Sequence, residues 1–360
     1  MKQEFQYSET HYGAAPCRPD VHGVLIKGKR GRLLSVLYTA AGEGTHPTVL
    51  LLHGIPGCEK NYDLAQDLRR AGFHVLSFHY SGSWGSDGDY SLAHDLEDAN
   101  TALDFILSDE KFGFDKDRIY AVGHSLGGFV CGQLSASCPE IRKAVLITPC
   151  DIGRLPVIRE QAPDYYRAVC EVLEESADWL TGTSGEKLRR EAEEHSETLR
   201  LESAAAGLAA KPVLCISASL DVYTPPELNG GPLQRAVEAQ GGTAFQHVVW
   251  PADHFLSDYR LTLAETVLRF FTEMNRKKAV CRALSMDCLV LCLKMSKPVL
   301  IIKSDKQYRR KGNPVWTAVE IQHGCLTKAR CRSAFCASSM ARTGSRPDGK
   351  SCAAIRRSRT

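Results

Sequence analysis

One serine, one aspartate and one histidine stand where acyl-transfer chemistry would need them. Gly123-His124-Ser125-Leu126-Gly127 reads G-x-S-x-G, follows the apolar run Ile119-Tyr120-Ala121-Val122 and precedes Gly128-Phe129-Val130-Cys131-Gly132-Gln133-Leu134. That order is strand, sharp turn, helix, the context in which the motif presents a serine nucleophile. Glycines leave room for a strained turn that pushes the hydroxyl outward, at a helix N-terminus that favours developing negative charge. A serine needs a base, and the base needs an orienting acid. His254 follows an expected strand at Phe245–Trp250, and Asp221 ends the apolar run Val213–Leu220. All three lie at C-terminal strand ends, where open α/β sheets bind ligands, in the chain order Ser, Asp, His. Asp253 is the competing acid, but adjacent side chains rarely face each other, so Asp221 is preferred. An oxyanion also needs N–H donors. Leu126 supplies one, and the loop His53-Gly54-Ile55-Pro56-Gly57 supplies the other through Ile55, because Pro56 has no N–H.

These residues must be carried by a scaffold, and the pattern of the chain describes one. Strands are expected at Val21–Lys27, Leu33–Thr39, Thr48–His53, His74–His79, Arg118–Val122, Lys143–Thr148, Val213–Ser217 and Phe245–Trp250. Runs such as Val49-Leu50-Leu51-Leu52 are apolar without alternation, as in strands covered by helices on both faces. Leu92, Leu96, Ala99, Leu103 and Leu107 recur at helical spacing and predict one buried stripe. A closing helix is expected over Leu256–Met274, with Leu261, Leu263, Val267, Leu268 and Phe271 toward the sheet. Strand and helix alternate, which predicts an α/β fold with a mostly parallel sheet. Residues 151–210 interrupt the alternation. They are too long for a bare connection and read as an inserted helical cap, whose cover of the site is left open.

With the elbow, Asp221, His254 and the His53-Gly54 loop in order, residues 20–277 resemble the α/β-hydrolase family. The segment His79-Tyr80-Ser81-Gly82-Ser83-Trp84-Gly85-Ser86 is similar to the tyrosine-and-glycine loop of serine-aminopeptidase and prolyl-oligopeptidase-like members. The resemblance implies an eight-stranded sheet and a cofactor-free serine mechanism. Ser125 would attack, His254 would shuttle the proton, Asp221 would hold the imidazole, and an acyl-enzyme would form on Ser125. A carboxylic ester is the expected substrate. A peptidase acting on short peptides, or a non-catalytic ligand-binding protein on the same scaffold, stands beside it, because fold and triad say little about substrate.

Composition sets the remaining bounds. The 360 residues are 43% hydrophobic and 24% charged, as in ordinary globular proteins. The net charge of +3 conceals a split: residues 1–275 carry −13 and residues 276–360 carry +16. Three units follow: an extension over 1–20, a hydrolase-like body over 21–277, and a basic, Cys-rich tail over 278–360 that is expected to be disordered. Basic clusters such as Arg309-Arg310-Lys311 would suit a nucleic acid or other polyanion, though few aromatics accompany them and no nucleic-acid module is recognisable. No H-E-x-x-H or C-x₂-C spacing points to a metal, so no metal site and no cofactor are expected. Cys58 has no partner cysteine nearby and reads as structural. Residues 1–20 lack the apolar core of a secretory signal, and Ala279–Met295 is interrupted by charges. A cytoplasmic location without a membrane span is the expectation.

Overall fold

The computed structural model describes residues 17–272 and two short further segments, Leu300–Ile301 and Ala318–Val319. The chain divides into two units, Met1–Val280 and Cys281–Thr360. In the second unit the two segments pair antiparallel, Ile301 opposite Ala318. The expectations for the rest of 278–360 and for residues 1–16 fall outside the described residues.

The first unit is built on eight strands: β1 (Asp20–Gly28), β2 (Gly31–Thr39), β3 (His46–Leu52), β4 (His74–Phe78), β5 (Phe114–His124), β6 (Ile141–Ile147), β7 (Val213–Ala218) and β8 (Phe245–Trp250). They lie side by side in the order β1-β2-β4-β3-β5-β6-β7-β8. β2 runs antiparallel to both of its neighbours, and every pair from β4 to β8 is parallel. All eight strands stand where the apolar runs predicted them.

Helices cover both faces of this sheet. On one face α2 (Leu92–Ser108) and α3 (Leu126–Ser137) pack with Leu50, Leu76, Ala121 and Leu146. On the other, α1 (Tyr62–Arg70) and a closing helix over 260–272 pack with Val49, Leu51, Val122 and Ile216. This two-sided cover explains why β3, β5 and β6 are apolar without alternation. In the closing helix, Leu263, Val267, Leu268 and Phe271 are buried as expected, but Leu261 is 61% exposed. The helix starts only at residue 260, after a 3₁₀ turn at Ser257–Tyr259, and Leu261 in its first turn stands off the centre of the stripe formed by Leu263, Val267, Leu268 and Phe271. The ammonium of Lys143 on β6 donates to the carbonyls of Phe270 (2.9 Å) and Phe271 (2.7 Å) of that helix.

Between β6 and β7 lie α4 (Leu155–Gln161), α5 (Pro163–Ala177), α6 (Gly185–Glu194) and α7 (Ala205–Ala209), the expected helical insertion. The insertion is firmly docked. Thr181 N–H donates to the Gly82 carbonyl (2.8 Å), and Tyr90 N–H donates to the Thr181 carbonyl (2.9 Å). The carboxylate of Glu191 on α6 accepts the amides of Leu92 (3.0 Å) and Ala93 (2.8 Å), so a cap residue supplies the negative charge at the start of α2. α8 (Gly230–Ala239) joins β7 to β8.

Candidate active site

Ser125 sits between β5 and α3 with φ 58° and ψ −123°, outside the regions that L-residues favour. Several contacts hold it there. Its amide donates to the Ile147 carbonyl (2.9 Å), and its carbonyl accepts the amides of Gly128 (2.9 Å) and Cys150 (3.0 Å). The turn closes because residue 123 has no side chain: a Cβ on Gly123 would lie 1.9 Å from the Gly127 carbonyl oxygen.

Asp221 and His254 come from the loops after β7 and β8 and meet as a buried pair. His254 Nδ1 lies 2.8 Å from Asp221 Oδ2. A carboxylate only accepts, so Nδ1 carries the proton and Nε2 is left as the basic nitrogen. The amides of Tyr223 (2.8 Å) and Thr224 (2.9 Å) donate to Asp221 Oδ1, and the Thr224 hydroxyl lies 2.6 Å from Oδ2. Burial pushes the Asp221 carboxyl up, but the bonds from His254 and Thr224 outweigh it and hold the group below its ordinary value. Asp253, the competing acid, accepts instead from the amide (2.8 Å) and hydroxyl (2.6 Å) of Ser257.

The backbone of His254 is fixed as well. Its carbonyl accepts from Thr148 Oγ1 (3.1 Å) and His124 Nε2 (3.1 Å). His124 is the residue before the elbow serine, and burial followed by the neighbouring His254 lowers its pKa to about 3. It therefore donates as a neutral ring.

The loop after β3 reaches the elbow from the other side. A Cβ on Gly54 would lie 2.8 Å from Ser125 Cβ, so only glycine allows this approach. Among the described residues, neither the Ile55 nor the Leu126 amide donates to a protein acceptor. The loop is braced by the segment singled out at residues 79–86: the Tyr80 hydroxyl donates to the His53 carbonyl (3.3 Å), and Trp84 Nε1 donates to the Pro56 carbonyl (2.5 Å). His53 donates through Nδ1 to the Gly54 carbonyl (2.8 Å), and burial lowers its pKa to about 3.

Ser125, His254, Ile55 and Leu126 line one cavity of about 520 Å³. Asp221 stands behind His254, away from that lining. The Ser125 hydroxyl makes no hydrogen bond among the described residues, and such contacts tighten when substrate binds. Tyr165, Val169, Val172 and Trp179 also line the cavity, so the cap walls the site. Sequence reasoning named none of these four, nor Thr148, Thr224 or His124 as supports. The helical spacing of 165, 169, 172 and 176 was the available signal for α5. Cys58, read as structural, is exposed and lines the cavity. Among the described residues no group of three or more His, Cys, Asp or Glu is placed to hold a metal, and no helix is long and apolar enough to cross a membrane.

Fold and site together define a hydrolase scaffold. The chain matches the model of the alpha/beta hydrolase family over residues 49–282, and it belongs to that family. Among solved structures it is similar to Est1E from Butyrivibrio proteoclasticus, with a TM-score of 0.53, 17% identity, and cover of 70% of this chain and 98% of that one. It is similar to the Pyrococcus furiosus esterase Pf2001, with a TM-score of 0.52, 17% identity, and cover of 71% and 93%. The acylaminoacyl peptidase of Pyrococcus horikoshii gives a TM-score of 0.52, 14% identity, and cover of 71% and 41%. At these identities the likeness shows the fold. No curated protein matches the sequence.

Proposed function

We propose that the protein is a serine hydrolase that cleaves a carboxylic ester through an acyl-enzyme on Ser125. The observation that carries this reading is the Asp221–His254 pair at 2.8 Å, lining up behind the same cavity that holds Ser125. In this mechanism His254 Nε2 takes the proton from the Ser125 hydroxyl as Oγ attacks the acyl carbon. The charge that develops on the acyl oxygen is met by the Ile55 and Leu126 amides, which have no protein acceptor among the described residues. The imidazolium is stabilised by ionised Asp221. His254 then returns the proton to the leaving alcohol, and water activated by the same nitrogen releases the acid.

A purely ligand-binding role leaves the strained elbow, the satisfied carboxylate and the two amides without a protein acceptor among the described residues unexplained. Peptide cleavage would use the same groups, and the cavity lining bears on that choice below. The test is turnover of 4-nitrophenyl butyrate by the wild type and by Ser125→Ala. Loss of turnover in a folded variant supports the serine mechanism, and full activity in Ser125→Ala would overturn it.

A further inference from the structure

Most of the cap wall of the cavity is supplied by one helix, α5. Tyr165, Ala168, Val169, Val172, Leu173 and Ser176 recur along α5 at steps of one and three residues and all line the cavity. The rest of the lining includes Ile55, Ile152, Val222 and Phe255, all apolar. No lysine or arginine lines it among the described residues. Its carboxylates are Glu59, Glu171 and Glu175. Glu171 and Glu175 are exposed, which leaves them hydrated at the rim. Glu59 accepts the Asn61 amide and lies beside Lys60. The cap is held by the Thr181, Tyr90 and Glu191 bonds described above, so this wall is formed before substrate arrives.

On the serine-hydrolase reading, we infer that the cavity selects esters whose acyl group is uncharged and apolar, with Val169 and Val172 setting the fit. An acyl chain ending in a carboxylate would meet no cation and would face the rim glutamates. A chain ending in an ammonium would leave water for a wall of valines and a leucine, the carboxylates of the described lining being the hydrated rim pair and Glu59, which is engaged by the Asn61 amide. The same reasoning sets substrates with a free α-amino group at a disadvantage, which separates this site from an aminopeptidase's.

Three esters of matched length and one leaving group test the inference: 4-nitrophenyl hexanoate, 4-nitrophenyl 6-aminohexanoate and mono-4-nitrophenyl adipate. The neutral ester should exceed both charged ones in kcat/KM by ~100-fold, the scale set by burying an unpaired charge. Val172→Asp should narrow the gap for the aminohexanoate at least about tenfold, as a buried counter-charge would. Val172→Ala, which removes bulk without adding charge, should move the preferred acyl chain to a longer one and keeps the test open should the aspartate variant fail to fold. Charged esters within about tenfold of the hexanoate, or an unmoved chain-length profile in Val172→Ala, would overturn the inference while the hydrolase reading stands. Absence of turnover for all three, equal in wild type and Ser125→Ala, would remove both.

Discussion

The Tyr165 hydroxyl, on cap helix α5, donates to the Tyr223 carbonyl across 2.5 Å. The amide of Tyr223 in turn donates to Asp221 Oδ1 at 2.8 Å. Two hydrogen bonds thus connect the wall of the cavity to the acid behind His254. Tyr165→Phe keeps the ring and removes the link. It should lower kcat several-fold and cost about 1 kcal/mol of stability, read by steady-state kinetics and urea unfolding. An unchanged kcat would mean that the acid loop holds its position without the cap.

Asp221 and Asp253 make opposite predictions. Asp221→Asn should reduce kcat by ~10⁴-fold, because an amide neither fixes the productive tautomer nor stabilises the imidazolium. Asp253→Asn should leave kcat nearly intact, since Asp253 bonds Ser257. Kinetics on the two variants decide it, and the reverse ranking would reassign the acid.

The carbonyl of His254 offers a subtler test. Thr148→Val removes one of its two donors and keeps the shape of the side chain. A loss of about 0.5–1.5 kcal/mol in stability is expected, with kcat falling more than KM changes, because the imidazole is aimed through its own backbone. A change in KM alone would show that Thr148 acts on binding instead.

Stability should fall as the solution is acidified below neutrality. Burial lowers the pKa of His53 and His124 to about 3, and of His74 and His79 to about 4. The unfolded chain therefore takes up these protons first. Their contribution is fully present above ~6.5, the unfolded histidine value, and is lost as pH falls through the folded values. Asp151, raised to about 7 by burial, acts in the opposite direction, its contribution being lost as pH rises through that value. Buried Asp95 and Asp67, also raised by burial, join it, while His247, lowered by burial, joins the histidines, and five histidines outweigh three carboxylates across this window. Thermal midpoints measured from pH 7 to pH 4 should fall, and a flat or rising series would contradict the burial argument.

The sequence made the scaffold legible where chemistry is local. Parallel strands buried on both faces, such as β3, must be apolar throughout, so all eight stood out. The placement of the elbow, Asp221, His254 and Ile55 at strand ends was readable because strand ends and loops constrain it. What escaped depends on partners far along the chain. Asp95 and Asp98 on α2 are buried where the periodicity favoured Leu96 and Leu107, because Tyr90 bonds Asp95 while Arg30 and the Ser81 amide bond Asp98. Thr148 and Thr224 are unremarkable in sequence and acquire their roles only when β6, β7 and β8 bring His254 beside them. The cavity wall on α5 shows as a stripe, yet nothing local says that the stripe faces a cavity.

The boundary of the body gives another expectation. Lys143 holds the carbonyls of Phe270 and Phe271, so the helix over 260–272 is tied to β6 within the described residues. A chain ending at Lys278 should fold with the thermal midpoint and esterase activity of the full protein. An insoluble or inactive product would place part of 279–360 in the core.

The central claim is that Ser125 is the nucleophile. An alkyl fluorophosphonate reports this directly, since it bonds an activated serine and stays there. Intact-mass measurement should show one phosphonyl adduct per chain, peptide mapping should locate it on Ser125, and Ser125→Ala should remain unlabelled while Asp221→Asn labels slowly. An adduct on another residue, or no adduct on a folded wild-type protein that hydrolyses esters, would contradict the account.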